Sequence, residues 1–128
     1  MVSWALWPPN PRRHNKVYER MSTQDIYALS DRATAAQAKI QQDFKEIDPI
    51  IGVRSNMRAS GFPADAMTID SLSTGKRILF IVHDEQPGNV AYQFGYKDKD
   101  PGADFTNVPF NEVTTDEIYR WIKEHLSS

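Results

Sequence analysis

The most regular hydrophobic pattern of the chain lies in its first half and has the period of a helix. Between residues 22 and 47, apolar residues recur every three or four positions, with polar and charged residues between them. This spacing places the apolar side chains on one face of an α-helix. It predicts one long helix over residues 22–47, which ends at Asp48 because the residue before Pro49 disfavours the helical conformation. The recurring apolar residues are Ile26, Leu29, Ala33, Ala36, Ile40, Phe44 and Ile47.

Three segments in the second half of the chain have the pattern of β-strands. Ala66–Ser71 alternates apolar and polar residues, and Val90–Lys97 places aromatic residues on one face. Between them, Arg77–His83 is apolar on both faces, which is typical of a central strand. The turns between these segments are short, so we expect antiparallel pairing. Phe105–Phe110 adds a short edge strand at most, because Pro109 lacks the amide that a ladder requires.

The same device for starting a helix occurs twice. Met21–Ile26 and Val113–Ile118 each contain an apolar residue, a hydroxyl residue, two further residues, an acid and another apolar residue. In both, the hydroxyl can accept a hydrogen bond from the amide three residues on, while the acid reaches back to the cap. The sequence therefore predicts helix caps at Ser22 and Thr114, with the second helix running from residue 115 to about residue 126.

Taken in order, these elements predict an α+β fold. We expect an antiparallel three- to four-stranded meander with a long N-terminal helix and a C-terminal helix packed on one face, in the order α-β-β-β-(β)-α. Residues 50–65 hold a short apolar run, Ile50–Val53, followed by turn signals around Gly61, and are expected to be irregular. A chain of 128 residues suffices for one domain with its own core.

Residues 1–20, which precede the long helical pattern, differ in composition from the rest of the chain. Residues 1–20 hold two tryptophans, three prolines and a basic cluster, and the prolines disfavour a regular helix or a central strand. Three interpretations are open: an extension upstream of a start at Met21, an arm that docks Trp4 and Trp7 on the domain or on a second subunit, or a tail that binds a ligand or nucleic acid. The single α+β domain is then residues 21–128.

Charge and composition exclude several classes of function. Residues 1–21 carry a net charge of +3 and the remaining residues −5, for a total of −2. An acidic domain has no general attraction for nucleic acid or for an anionic membrane. No apolar run approaches the ~20 residues that span a bilayer. The sequence contains no Cys, so disulfides and thiol chemistry are excluded. We therefore expect a cytoplasmic protein that does not act at a membrane.

No constellation of polar residues predicts a catalytic or metal site. His83 precedes two acids, but neighbouring strand residues point to opposite faces, so this histidine and the next acid do not meet. His14 and His125 are far from it in sequence and lack the spacing of metal ligands. The acidic loop at residues 98–104 lacks the positions that an EF-hand requires, and Ser73–Arg77 lacks those of a phosphate loop. No cofactor is predicted.

The face of the predicted sheet that the helices leave uncovered is the main functional clue. Leu79, Ile81 and Ala91 belong to that face and need a cover, because contiguous exposed apolar surface marks an interaction site. The candidates for this cover are the arm with Trp4 and Trp7, a second copy of the chain, or a bound ligand.

Three hypotheses of different kinds follow. The leading one is a non-enzymatic interaction or accessory protein that forms a homodimer or binds another protein, such as an orphan bacterial gene of a mobile element would encode. The second is a small-molecule-binding protein or enzyme with an aromatic cleft formed by His83, Tyr92, Tyr96 and Trp121. The third is a nucleic-acid-associated protein that uses the basic arm, which the acidic domain disfavours.

Overall fold

The computed structural model describes residues 9–127, with side chains for residues 25–57 and 59–127. Within residues 9–127 the chain forms two helices and a five-stranded antiparallel sheet, so the expected α+β class is confirmed. In chain order the elements are α1 (Pro9–Asp43), β1 (Pro49–Arg54), a 3₁₀ turn (Asn56–Ser60), β2 (Ala64–Ser71), β3 (Lys76–His83), β4 (Asn89–Tyr96), β5 (Thr106–Pro109), a second 3₁₀ turn (Phe110–Glu112) and α2 (Thr115–His125).

All five strands form one meander. The strand order is β1-β2-β3-β4-β5, and each neighbouring pair is antiparallel. The sheet has more strands than the three or four expected, because residues 49–54 form β1 rather than part of an irregular segment. Ile51 of β1 lies opposite Ile69 of β2 and packs against the core. This burial and the main-chain pairing offset the weak strand propensity of Gly52.

The first helix begins earlier than its hydrophobic pattern indicated. α1 starts at Pro9 and passes through Ser22 without interruption, so the predicted cap at Ser22 is wrong. A cap residue must have a non-helical backbone, which Ser22 does not have. The expectation that prolines exclude a helix before Met21 also fails, because Pro9 and Pro11 lie in the first turn. Amides of the first turn have no intrahelical partner, so proline removes no hydrogen bond there.

The end of α1 differs from the prediction by a few residues. The helix ends at Asp43 rather than at residue 47. The Phe44 amide still donates to the Ile40 carbonyl at 2.7 Å, and the Ile47 amide donates to the Phe44 carbonyl at 3.2 Å. Residues 44–47 therefore form a turn, and the chain enters the sheet at Pro49.

The predicted start of the last helix is confirmed. α2 follows Thr114, whose backbone is extended and whose hydroxyl accepts a hydrogen bond from the Glu117 amide at 3.1 Å. The Glu117 carboxylate forms an ion pair with Arg120, one turn further on, instead of reaching back to the cap. Acidic residues in the first turn and basic residues in the last turn match the polarity of the helix dipole.

Both helices pack on one face of the sheet and run in the same direction. Lys39 of α1 forms an ion pair with Asp116 of α2 at 3.3 Å, and one turn later Asp43 accepts a hydrogen bond from Tyr119 at 2.6 Å. Later residues of α1 thus contact later residues of α2, which shows that the helices are parallel. This direction is expected because five antiparallel strands, an odd number, connect the two helices. The buried core between helices and sheet includes Ile26, Leu29, Ile40, Met67, Ile69, Ile78, Phe80, Ile118 and Ile122.

Candidate interaction surface on the open face of the sheet

The surface of the sheet that points away from α1 and α2 is here called the open face. Cross-strand partners share a face, so the strand register assigns its members in rows. The first row, from one edge to the other, is Arg54, Ala66, Ile81, Ala91 and Asn107; the second is Gly52, Thr68, Leu79 and Gln93; the third is Ile50, Asp70, Arg77 and Gly95. The three residues that the sequence placed on this face, Leu79, Ile81 and Ala91, lie together at its centre.

The centre of the open face consists of two large apolar side chains among small ones. Leu79 and Ile81 are half-buried, although no helix covers them. Their neighbours within and between rows include Ala66, which is almost fully buried, and Thr68. Towards the edge strand, Ile50 is 44% exposed. The result is a low, mostly apolar surface with two projections, which suits contact with another apolar surface.

A charged pair borders this apolar centre. Arg77 donates two hydrogen bonds to Asp70, from Nε to Oδ1 at 2.7 Å and from Nη2 to Oδ2 at 2.9 Å. The hydrogen bond to Asp70 raises the pKa of the Arg77 guanidinium above its ordinary value, partly opposed by desolvation. Both side chains are partly shielded from solvent, at 31% and 15% exposed. The charges are therefore neutralised locally, and the pair forms a polar boundary to the apolar surface.

The loop after β4 bends back over the open face and creates a groove. Gln93 holds this loop, because its Nε2 donates to the carbonyls of Gly102 and Asp104 at 3.2 and 3.0 Å while its Oε1 accepts from the Gly102 amide at 3.1 Å. The groove beneath has a volume of about 490 Å³ and reaches Leu79 and Lys99. Such a volume is large enough for a small ligand.

Of the four residues expected to line an aromatic cleft, Trp121 is buried in the core and Tyr92 is half-buried against it. Their ring centroids are 4.5 Å apart, and Phe94 packs edge-on against both. Tyr92 and Phe94 thus join the sheet to α2 on the face opposite the open face. Tyr96, two residues after Phe94 on β4, is half-exposed, and the Nζ atom of Lys99 lies over its ring at 5.2 Å from the centroid. The spacing that suggested a cleft is the spacing that core packing also requires.

His83 lies far from these aromatic residues. It is at the Ala64 end of β3, whereas Tyr96 pairs with Lys76 at the other end. Its Nδ1 accepts a hydrogen bond from the Glu85 amide at 3.1 Å, and its ring packs edge-on against Phe62 with centroids 5.5 Å apart. The histidine therefore stabilises the β3–β4 turn, and the structure does not bring the four expected cleft residues together.

Sequence reasoning missed two residues that shape the candidate site. Gln93 fixes the loop over the open face, and Asp70 holds Arg77 at its border. Neither was signalled by a motif, since each acts through a contact set by strand register. Trp4 and Trp7, expected to cover this face, lie outside the described residues.

Comparison with known proteins yields no matching family model, no matching curated protein and no matching solved structure. Within residues 9–127, no helix has the length and apolar character needed to cross a membrane. The described part of the chain also contains no group of three or more His, Asp or Glu side chains arranged to hold a metal ion.

Proposed function

We propose that this protein is an interaction protein that acts by self-association, with the open faces of two copies packed against each other. The observation that carries the proposal is the position of Leu79 and Ile81 at the centre of a sheet face that neither helix covers. Burying such side chains removes apolar surface from water at about 25 cal/mol per Å².

A second copy is the proposed partner because the part of the face outside the Gln93 loop places the large Ile81 beside the small Ala66 and Ala91. Two sheets that pack face to face lie ~10 Å apart with their strands rotated by about 30°. In a two-fold arrangement, the same patch serves both partners. Leu79 and Ile81 of one copy then meet the low surface around Ala66 and Ala91 of the other. Larger side chains at the alanine positions would hold the sheets apart.

The size of the open face sets the expected strength. The strands have six, eight, eight, eight and four residues, and each residue covers ~3.3 by ~4.8 Å, so the face measures at most about 500 Å² per copy, part of which lies under the loop held by Gln93. Two copies together reach about 1,000 Å², below the ~1,200–2,000 Å² of standard stable interfaces. We therefore expect reversible association with a micromolar Kd.

Sedimentation velocity across micromolar to submillimolar concentrations tests this proposal. The wild-type weight-average mass should rise with concentration. Ile81→Lys should halve the mass reached at the highest concentration, because a charge would be buried in the interface. Leu72→Lys is the matched control, since Leu72 is 63% exposed in the β2–β3 turn and outside the open face; it should behave as wild type.

Two results would contradict the proposal. One is a wild-type protein that sediments as a single chain at every concentration. The other is an Ile81→Lys variant that retains its fold by circular dichroism and associates as strongly as the Leu72→Lys control.

A further inference from the structure

The free edge of β1 has a geometry that the strand register defines. The Asp84 amide donates to the Pro63 carbonyl at 2.9 Å, which extends the β2–β3 ladder by one hydrogen-bonded pair. Because such pairs alternate along an antiparallel ladder, odd-numbered residues of β2 bond to β3 and even-numbered ones bond to β1. Within β1, the even-numbered residues therefore bond to β2. Ile51 and Val53 direct their amides and carbonyls away from the sheet.

The contact between α1 and β1 agrees with this assignment. Gln37 of α1 donates from Nε2 to the Pro49 carbonyl at 2.6 Å, so this odd-numbered carbonyl also points outward. Ile50 and Val53 expose 44% and 38% of their surfaces on the two sides of the strand. Natural edge strands are usually protected by a central charge, a bulge or a proline. β1 begins with Pro49 and ends with Arg54, but the residues between them carry neither a charge nor a proline.

We propose that β1 pairs antiparallel with β1 of a second copy, around a two-fold axis that passes between the two Ile51 residues. An axis perpendicular to the sheet keeps open face beside open face and core face beside core face. The Ile51 amide of each copy then donates to the Ile51 carbonyl of the other, and the Val53 amide donates to the Pro49 carbonyl. That carbonyl can accept a second hydrogen bond because it has two lone pairs.

Charge complementarity favours a second copy and selects this register. Centred on Ile51, the pairing places Asp48 of each copy opposite Arg54 of the other, twice per interface. Asp48 accepts a hydrogen bond from Gln41 at 3.0 Å through one carboxylate oxygen, which leaves acceptor capacity on the other. A register centred on Gly52 would instead place Arg54 opposite Ile50 and lose both charge pairs.

The proposed edge pairing uses the free edge of β1, whereas the open-face contact uses the face of the sheet, so neither association excludes the other. A closed tetramer requires the axis of the edge pair, perpendicular to the sheet, to intersect the axis of the face pair, parallel to it. Pairing through the opposite edge strand, β5, is disfavoured because that strand has only four residues.

The experiment uses the full chain with Ile81→Lys as the parent, so that only edge pairing remains. In sedimentation equilibrium this parent should form a dimer. Adding Val53→Pro should abolish the dimer, since proline removes an outward amide and leaves the bonds to β2 intact. Asp48→Lys or Arg54→Glu alone should weaken the dimer about tenfold, and the two together should restore parental affinity.

Edge pairing would be overturned by a monomeric parent, by a folded Val53→Pro variant that dimerises like its parent, or by a double charge reversal that restores nothing. The charge reversals keep the test decisive if Val53→Pro unfolds. Failure of the edge-pairing proposal can be told apart from failure of the open-face proposal. The open-face contact is tested by comparing the association of the wild-type chain with that of Ile81→Lys, whereas edge pairing is tested only among variants of the Ile81→Lys parent.

Discussion

Removing the Thr114 hydroxyl should destabilise the protein, whereas the same change at Ser22 should not. Both residues occupy the same position in a duplicated sequence device, but only Thr114 has an extended backbone and accepts the amide of Glu117. Loss of an N-cap costs about 1 kcal/mol, within a range of ~0.5–2. Thr114 is exposed, so Thr114→Ala leaves no cavity to add to this cost. Ser22 lies inside α1, where Ala is the better helix former by roughly 0.5 kcal/mol.

Urea unfolding followed by circular dichroism measures both changes. With a slope of ~1–3 kcal/mol per molar urea, Thr114→Ala should lower the midpoint by roughly 0.5 M. Thr114→Ser keeps the hydroxyl and should match wild type, and Ser22→Ala should unfold at the wild-type midpoint or slightly above it. The reasoning is refuted if Thr114→Ala leaves the midpoint unchanged, or if Ser22→Ala lowers it by as much.

Two further predictions concern polar contacts. Asp70→Asn should lower the free energy of unfolding by about 1–2 kcal/mol, because hydrogen bonds to charged groups are worth ~1.5–3 kcal/mol. Glu85→Gln, which changes an exposed carboxylate, is the control. Equal urea midpoints for the two variants would contradict the prediction. The hydrogen bond to Asp43 raises the pKa of the Tyr119 phenol above its ordinary value. This hydrogen bond therefore stabilises the fold at pH values below the pKa of tyrosine in the unfolded chain, and the stabilisation is lost as the pH rises through the pKa of Tyr119 in the folded protein. Asp43→Ala should shift the ultraviolet titration of one tyrosine to lower pH, and superimposable titration curves would rule out this contact.

Much of the fold is predictable from the sequence because its determinants are local. The continuous apolar run of β3, the aromatic face of β4, the short turns between the strands and the Thr114 cap each depend on residues close together in the chain. The failure at Ser22 has an equally local reason. A hydroxyl and an acid three residues apart cap a helix only where the preceding chain leaves the helical conformation, and here the helix continues back to Pro9.

The features that escaped prediction depend on contacts between distant segments. β1 holds three β-branched residues but is short and contains Pro49 and Gly52, and it forms because Ile51 packs on the core and its backbone pairs with β2. For the candidate site, period-two alternation was enough to place Leu79, Ile81 and Ala91 on one face. The loop that Gln93 fixes over that face, and the burial of Tyr92 against Trp121, follow from tertiary packing that no local pattern encodes.

Self-association through the open face can be observed residue by residue in a dilution series of the ¹⁵N-labelled protein followed by NMR. We expect the amide signals of Leu79, Ile81 and Ala91 to shift with protein concentration. Signals of Ala35 and Ala38, on the exposed side of α1, should not shift. Concentration-dependent shifts confined to the helices, or signals of the open face that stay constant up to submillimolar protein, would contradict it.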